Sequence, residues 1–357
     1  MIKMRLSKSI FRIQNFALNS LSGIAKIIHV KRRTKSINKL KKVNFVEVPD
    51  NKSEIRLLAI MRNESLRLPY FFEYYKNIGV DRFFIIDNNS TDDSALIASQ
   101  EDNVHIYSTK DSFKNFWFWM EYLLKEFGSD QWCLVVDIDE LFSYPYSEKL
   151  NLGELIHFLE EEKSTSVLSL LLDMYSDKSI RSTHYSKGEN PLLKIPFFDK
   201  SYEIRNFRFI DKNSYSFFYS KSFTGGMRKR VFGNISTPHV LSKISLFKNN
   251  QNNYLTDGMH AINNSKISTV QGAVFHTKFL FDFIDEVHEE IKRKQHFGNA
   301  FYYKHYEKKI GKQEDLNLHC ESSVRYLNTK QLLDLGIMFT NSAFDRYAES
   351  KSRKIKI

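Results

Sequence analysis

The 357-residue chain contains two cysteines, Cys133 and Cys320. So few exclude a disulfide framework and a cysteine-type zinc site, and they point to a reducing, cytoplasmic setting. No stretch approaches the roughly 18 to 20 consecutive apolar residues that span a bilayer. Lys, Arg, Ser and Asn interrupt the N-terminal segment too often for a secretory-signal core. No internal repeat is visible. The first 45 residues hold no acid at all, yet they carry twelve of the 53 lysines and arginines. Without them, 41 bases face 42 acids. The pI near 9.3 therefore describes an arm on a balanced body, and nucleic acid is not an expected partner.

The hydrophobic share is 42% and the aromatic share 14%, enough for one large domain or two modest ones. In the arm, Leu6, Ile10, Ile13, Ala17, Leu21, Ile24 and Ile28 recur at spacings of three and four, so residues 4–28 read as an amphipathic helix. A basic polar stretch, Lys31 to Lys42, follows. Such an arm can attach through residues 1–42 to anionic lipid on the cytoplasmic face of the inner membrane, where each base adds about 1 kcal/mol. The other option is packing on the body. The expected division is an arm over residues 1–50, a body over 51–280 divided near residue 175, and a helical extension over 281–357.

From residue 55 short apolar runs alternate with helical patterns. Strands are predicted at Ile55–Met61, Val80–Asp87, Val104–Ser108, Trp132–Val136 and Ser166–Leu172. Helices are predicted at Leu68–Asn77, Asp92–Ser99, Phe116–Phe127, Leu152–Glu162, Phe281–Gly298, Phe301–Lys309 and Thr329–Leu335. The alternation is that of an α/β fold, a mostly parallel sheet with helices on both faces. Between Ser176 and about Phe275 the periodicity weakens into a mixed region.

In an open parallel sheet, ligands gather beyond the carboxyl ends of the strands. The first strand is followed there by Arg62, Asn63 and Glu64, the second by Asp87 to Asp93, and the fourth by Asp137, Ile138, Asp139 and Glu140. In extended chain Asp137 and Asp139 face the same way. About 6 Å apart, at a dielectric near 20, they repel by about 3 kcal/mol. A divalent cation, Mn²⁺ or Mg²⁺, relieves that repulsion and keeps positions free for diphosphate oxygens. A solvated strand end is the alternative. Ser90 to Asp93 suit a helix cap, leaving Asp87 and Asn89 for the base and ribose of a nucleotide.

The segments LLAIMRNE (Leu57 to Glu64), FFIIDNNSTDDS (Phe83 to Ser94) and LVVDIDELF (Leu134 to Phe142) resemble the nucleotide-sugar half of the family 2 glycosyltransferases of the GT-A fold. The likeness is strongest to their bacterial branch with an Arg-Asn-Glu first loop. GGMRKRVFG (Gly225 to Gly233), Leu241 to Phe247, Gly258 to His260 and GAVFHTKF (Gly272 to Phe279) are similar to the second half of that branch. The resemblance implies a Rossmann-like GT-A sheet, a nucleotide-sugar donor, a divalent cation and inversion at the anomeric carbon. It implies Arg62, Asn63, Glu64, Asp87, Asn89, Asp92 and Asp137 around the nucleotide, with Asp137 and Asp139 on the metal. A late histidine, His276, is a metal ligand on this reading and a core residue on the other. Arg228 and Arg230 are expected on the diphosphate, or else form a basic surface turn. The family's Glu-Asp pair, with the Asp as base, has here only the late Glu314-Asp315 as a counterpart. Asp257 is therefore the expected catalytic base, followed by His260 and Asp173.

The acceptor expected is a glycan or lipid-linked glycan of cell-surface polysaccharide or lipopolysaccharide synthesis. Phe116, Trp117, Trp119 and Tyr175 are candidates to pack on sugar faces near the mouth, although Trp and Phe on a helix are more often core residues. Two alternatives stand beside this. A nucleotidyltransferase making sugar nucleotides normally has a Gly-rich first loop, absent from Arg62 to Ser65. A binding protein on the same fold would not need the acids at three strand ends. A phosphatase of the Asp-x-Asp-x-Thr type fails at Leu141.

Overall fold

The computed structural model describes residues 30–44, 47–211, 216–256, 258–311 and 316–352. The helix expected over residues 4–28, Asp257 and the pair Glu314-Asp315 lie outside them. The first half of the chain runs α1 (residues 30–37), β1 (Lys41–Asn44), β2 (Ile55–Met61), α2 (Leu68–Asn77), β3 (Arg82–Asp87) and α3 (Ser94–Ser99). It continues with β4 (Val104–Ser108), α4 (Phe116–Phe127), β5 (Trp132–Val135), β6 (Glu140–Ser143), α5 (Leu152–Glu161) and β7 (Ser169–Asp173). Then come β8 (Phe197–Phe198), the ribbon β9 (Tyr202–Asp211) and β10 (Ser216–Gly225), α6 (Gly226–Phe232), β11 (Ser242–Lys243) and β12 (Leu246–Lys248). The chain continues through β13 (Leu255–Thr256), β14 (Ala261–Ile262), β15 (Gly272–His276), α7 (Phe283–Arg293), α8 (Phe297–Ile310), β16 (Val324–Arg325), α9 (Thr329–Asp334) and α10 (Ser342–Ser352).

The main sheet has the order β1-β4-β3-β2-β5-β12. Its four inner strands are parallel, and both edges are antiparallel. Alternation sends successive residues of β2 and β3 to opposite faces. Leu57, Ala59, Phe83 and Ile85 pack with Phe71, Phe72 and Tyr75 of α2 and with α5. Leu58, Ile60, Phe84 and Ile86 pack with Trp119, Met120 and Leu123 of α4. With both faces covered, the strands are continuous apolar runs, each fully buried Leu, Ile or Phe contributing about 1.5–3 kcal/mol. Local signals set the helix ends. Asn151 and Glu154 form a reciprocal capping box on α5, and Gly79, at φ +104, turns the chain from α2 into β3.

The strand expected at Ser166–Leu172 does not extend the main sheet. It begins at Ser169, ends at Asp173, and belongs to a second, four-stranded sheet ordered β11-β7-β15-β6. There β15 is parallel to β7 and antiparallel to β6. The architecture is thus α/β with mixed sheets and flanking helices. A third apolar cluster, including Tyr175, Met227, Phe283 and Tyr306, lies beneath α6, α7 and α8.

Residues 30–44 are docked on the body. Ser36 donates to Asp111 at 2.8 Å and accepts from Trp119 Nε1 at 2.7 Å. Arg32 donates to Asn115, Lys39 pairs with Asp111, and β1 pairs with β4. Trp119 and Tyr175, expected near the mouth, are fully buried core residues. Among the described residues, no helix is long and apolar enough to cross a membrane.

Candidate functional site

Two loops leave the carboxyl ends of β2 and β3, and they are stitched to each other. Asn63 and Asn89 both take left-handed backbone, at φ 55 and 60, which Asn tolerates better than most side chains. Asn63 Oδ1 accepts from Thr91 N at 2.7 Å, and Asn63 N donates to Ser90 Oγ. Glu64 N donates to Ser94 Oγ, and Asp92 accepts from Ser65 N and Ser94 N, each at 3.0 Å. Asp87 Oδ1 accepts from Ser90 N at 2.9 Å. Arg62 donates to the carbonyls of Asn88 and Asn89 and pairs with Glu289 of α7. The side chains expected around a nucleotide therefore shape the two loops themselves. Burial raises the Asp92 carboxyl, but hydrogen bonds from Ser94 and Ser65 outweigh it and hold the group low. Glu64 is different. Burial pushes it up to about 8, only partly offset by Arg67, whose guanidinium is held by Asp282 at 2.9 Å through both terminal nitrogens.

The Asp-Ile-Asp-Glu segment departs from extended chain. β5 ends at Val135, and Glu140 N donates back to the Asp137 carbonyl at 3.1 Å, closing a turn into β6. The two carboxylates meet different partners. Asp137, 41% exposed at its side chain, lies 3.5 Å from Lys243 Nζ. Asp139 Oδ2 lies 3.3 Å from His276 Nε2. The expected charge repulsion is thus answered partly from within the chain. Lys243, fully buried, also pairs with the buried Glu140, whose carboxylate accepts from Asp137 N at 2.8 Å. Sequence reasoning missed Lys243; a lysine inside the apolar segment Leu241 to Phe247 was its one signal.

The second sheet brings the rest together by register. His276 stands opposite Glu140 on one side and Asp173 on the other. Its Nδ1 donates to Asp173 Oδ1 at 2.8 Å, and Thr277 N donates to the Asp139 carbonyl, fixing the Asp-Ile-Asp turn against β15. Arg228, from α6, makes two 2.7 Å bonds to Asp173 and approaches His239 at 3.4 Å. The result is a row: Asp139, His276, Asp173, Arg228. Burial raises the Asp173 carboxyl, yet Arg228 and His276 bring it down to about 2. For Asp139 burial is likewise outweighed by His276 and Lys278, which hold it well below the carboxylate range. Burial lowers His276, and the flanking Asp139 and Asp173 overcome that and raise it.

Arg228 is thus engaged with Asp173, and Arg230 with Asp199 at 2.8 Å and with the Leu318 carbonyl. Gly225 and Gly226, both at positive φ, make the tight turn that starts α6. His260 Nδ1 donates to the Ser242 carbonyl at 3.1 Å. Burial and Lys243 push its pKa down to about 4, so it is neutral at pH 7 with Nε2 carrying the lone pair. Asp173, the third choice as base, is locked in its ion pair.

Among the described residues, no group of three or more His, Cys, Asp or Glu is arranged to hold a metal ion. Two donors do fit one. Asp139 and His276 face each other through Oδ2 and Nε2, and the other ring nitrogen is tied to a carboxylate, the arrangement that orients metal-bound histidines. One carboxylate and an imidazole, with substrate oxygens completing the shell, suit Mn²⁺ better than Mg²⁺, which favours oxygen ligands.

No family model matches the chain, and no curated protein matches it. Solved structures align over part of it. A 4-diphosphocytidyl-2C-methyl-D-erythritol synthase aligns at 13% identity and TM-score 0.26, covering 38% of this chain and 67% of its own. A glucose-1-phosphate thymidylyltransferase from Bacillus anthracis aligns at 13% identity and TM-score 0.25, over 38% of this chain and 64% of its own. HddC from Yersinia pseudotuberculosis aligns at 14% identity and TM-score 0.24, over 38% and 70%. At such scores they assign no family.

Proposed function

We propose that the protein is a cation-dependent, inverting glycosyltransferase that takes its sugar from a nucleotide-sugar donor. The observation that carries this reading is the Asp139–His276–Asp173–Arg228 row, set at the turn after β5 and assembled from four separate segments. Asp139 and His276 would hold a Mn²⁺ or Mg²⁺ ion, with Asp137 beside them. When bound, that ion supplies positive charge to the departing diphosphate. Asp173 keeps the His276 imidazole oriented through Nδ1, and Arg228 fixes Asp173 from behind. In this reading Arg228 acts through Asp173 and not on the diphosphate. Arg230 anchors α6 to Asp199.

As the acceptor oxygen bonds to the anomeric carbon, the bond from that carbon to the phosphate oxygen breaks on the opposite face. The acceptor proton passes to a base on the 257–260 segment, either Asp257 or His260. His260 has its Nδ1 held by Ser242, leaving Nε2 to accept that proton. Arg62, Asn63, Glu64, Asp87, Asn89 and Asp92 set the loops against which the nucleotide lies. The acceptor in this proposal is a glycan or lipid-linked glycan for cell-surface polysaccharide or lipopolysaccharide. The basic residues before Lys42 bring the enzyme to the membrane surface where that acceptor is assembled.

The second reading is a nucleotidyltransferase that forms sugar nucleotides, the reaction class named by the aligned thymidylyltransferase. Its test is the same. Hydrolysis of UDP-, GDP-, CMP- and dTDP-sugars is assayed with Mn²⁺, beside pyrophosphate release from nucleoside triphosphates and sugar 1-phosphates. Donor hydrolysis that depends on Mn²⁺ and on Asp139 supports glycosyl transfer. Pyrophosphate release without donor hydrolysis overturns it in favour of the second reading.

A further inference from the structure

A shallow groove enclosing about 20 Å³ lies beside α6, between the base of the β9–β10 ribbon and the 233–239 segment. Arg205, Arg228, Lys229, Asn234, Pro238 and His239 line it, and no carboxylate does among the described residues. Its inner wall is part of the row already described, since Arg228 touches both Asp173 and His276. Anything bound there lies two side chains from Asp139. At the outer end, Arg205 and Lys229 share one carboxylate, Glu203. Two cations on one acid leave one positive charge. Exposed pairs of this kind hold their partners weakly, so an incoming anion can join or replace Glu203 at small cost.

A column of rings borders the same groove. Phe297, 63% exposed, stacks on Tyr302 with ring centres 5.7 Å apart and planes at 24°. Tyr302 stacks on His239 at 4.1 Å and 30°, and His239 on Tyr306 at 5.5 Å and 6°. The Tyr302 hydroxyl reaches the Pro238 carbonyl. The column therefore leads from solvent to the histidine beside Arg228. Ring faces carry partial negative charge and suit the C–H faces of pyranose rings. Where the backbone turns at Gly233, φ +85, the space around its missing side chain is open.

We propose that this groove is the acceptor subsite and that it takes an acidic glycan, one whose sugars carry carboxylate or phosphate groups. Phe297, at the exposed end of the column, receives a sugar ring, Arg205 and Lys229 receive the anionic substituent, and the reacting hydroxyl points along Arg228 towards His276. The proposal rests on the glycosyl-transfer reading, and its test is built to fail separately from it.

The test measures binding to the full-length protein by calorimetry. The probes are a hyaluronan tetrasaccharide, which bears carboxylates, a phosphorylated oligosaccharide of the same length, and neutral chitotetraose. At least one acidic probe should bind about tenfold tighter than chitotetraose, the value of one charge-assisted hydrogen bond, and which one does so separates carboxylate from phosphate. That preference should shrink at high salt and vanish in the double variant Arg205→Ala/Lys229→Ala. Phe297→Ala should weaken all probes alike. Equal affinity for acidic and neutral probes, or a preference that survives the double variant, overturns the proposal. Nucleotide-sugar binding with Mn²⁺, measured in the same samples, should be unchanged by the double variant. If donor binding is intact and the acidic preference absent, only the acceptor assignment falls. If the preference is present and no donor binds, the glycosyl-transfer reading falls and the groove stands as a glycan-binding surface.

Discussion

The two groups of polar residues at the strand ends differ in where their atoms come from. On the β2–β3 side, Arg62 to Ser65 and Asp87 to Ser94 lie within a 33-residue stretch of sequence and mostly bond one another. On the second-sheet side, Asp139, His276, Asp173 and Arg228 come from four distant segments and meet through strand register. The first side forms a stiff frame. The second presents a carboxylate and an imidazole aimed at each other, with their outer partners already in place. Residues that resemble a ligand-binding motif can serve as scaffold, while a second set of buried polar groups converges where distant strands align.

That contrast predicts opposite responses to substitution. The largest effect is expected beside the row, where Lys243 of β11 meets the Asp137 to Glu140 turn. Lys243→Met strips the buried Glu140 of its counter-charge and should cost about 3–5 kcal/mol in urea unfolding, since an uncompensated buried charge remains. The double variant Lys243→Met/Glu140→Gln should recover much of that loss, and a neutral single variant would refute the buried pair. On the row side, Arg228→Lys loses the two-pronged grip on Asp173. It should weaken Mn²⁺ affinity about 10- to 100-fold, as for other partners of metal ligands, with the midpoint of unfolding little changed. On the frame side the pattern reverses. Asn63→Ala removes an acceptor and strains a left-handed residue, so it should cost about 1–2 kcal/mol of stability with Mn²⁺ affinity intact. Asn63→Gly should cost less.

A further expected effect is a pH dependence. Glu64 has a folded pKa of about 8, above its unfolded value of 4.5. Its protonated form suits the fold, so stability on its account is full below pH 4.5 and falls as pH rises towards 8. Glu64→Gln should therefore stabilise the protein at pH 8 and leave it unchanged at pH 4. A gain that is larger at pH 4 would reverse the sign and remove the burial argument.

The main sheet was legible because Ile55 to Met61 and Phe83 to Ile86 are unbroken apolar runs, a pattern that strands buried on both faces require. The second sheet was not. Ser169 to Asp173 has the same local pattern as a strand of the first sheet, and local pattern carries no information about which sheet a strand joins. Asp137 and Asp139 do stand at the end of β5 as expected, but extended geometry is no guide to their relative direction, because the chain turns at Asp137 to Glu140. Trp119 and Tyr175 resemble sugar platforms in sequence and are buried, whereas exposed Phe297 stood unremarked at the end of a helical pattern. The pairing of Arg228 with Asp173 and the burial of Lys243 depend on contacts across 55 and 103 residues, beyond the reach of periodicity.

The most direct measurement is calorimetry of UDP-, GDP-, CMP- and dTDP-sugars against wild type and Asp139→Ala, with and without Mn²⁺. The account predicts that wild type takes up one of these donors in the presence of Mn²⁺ alone, and that Asp139→Ala loses this uptake while unfolding at an unchanged midpoint. Donor uptake that ignores Mn²⁺, or that persists at full strength in Asp139→Ala, would contradict it.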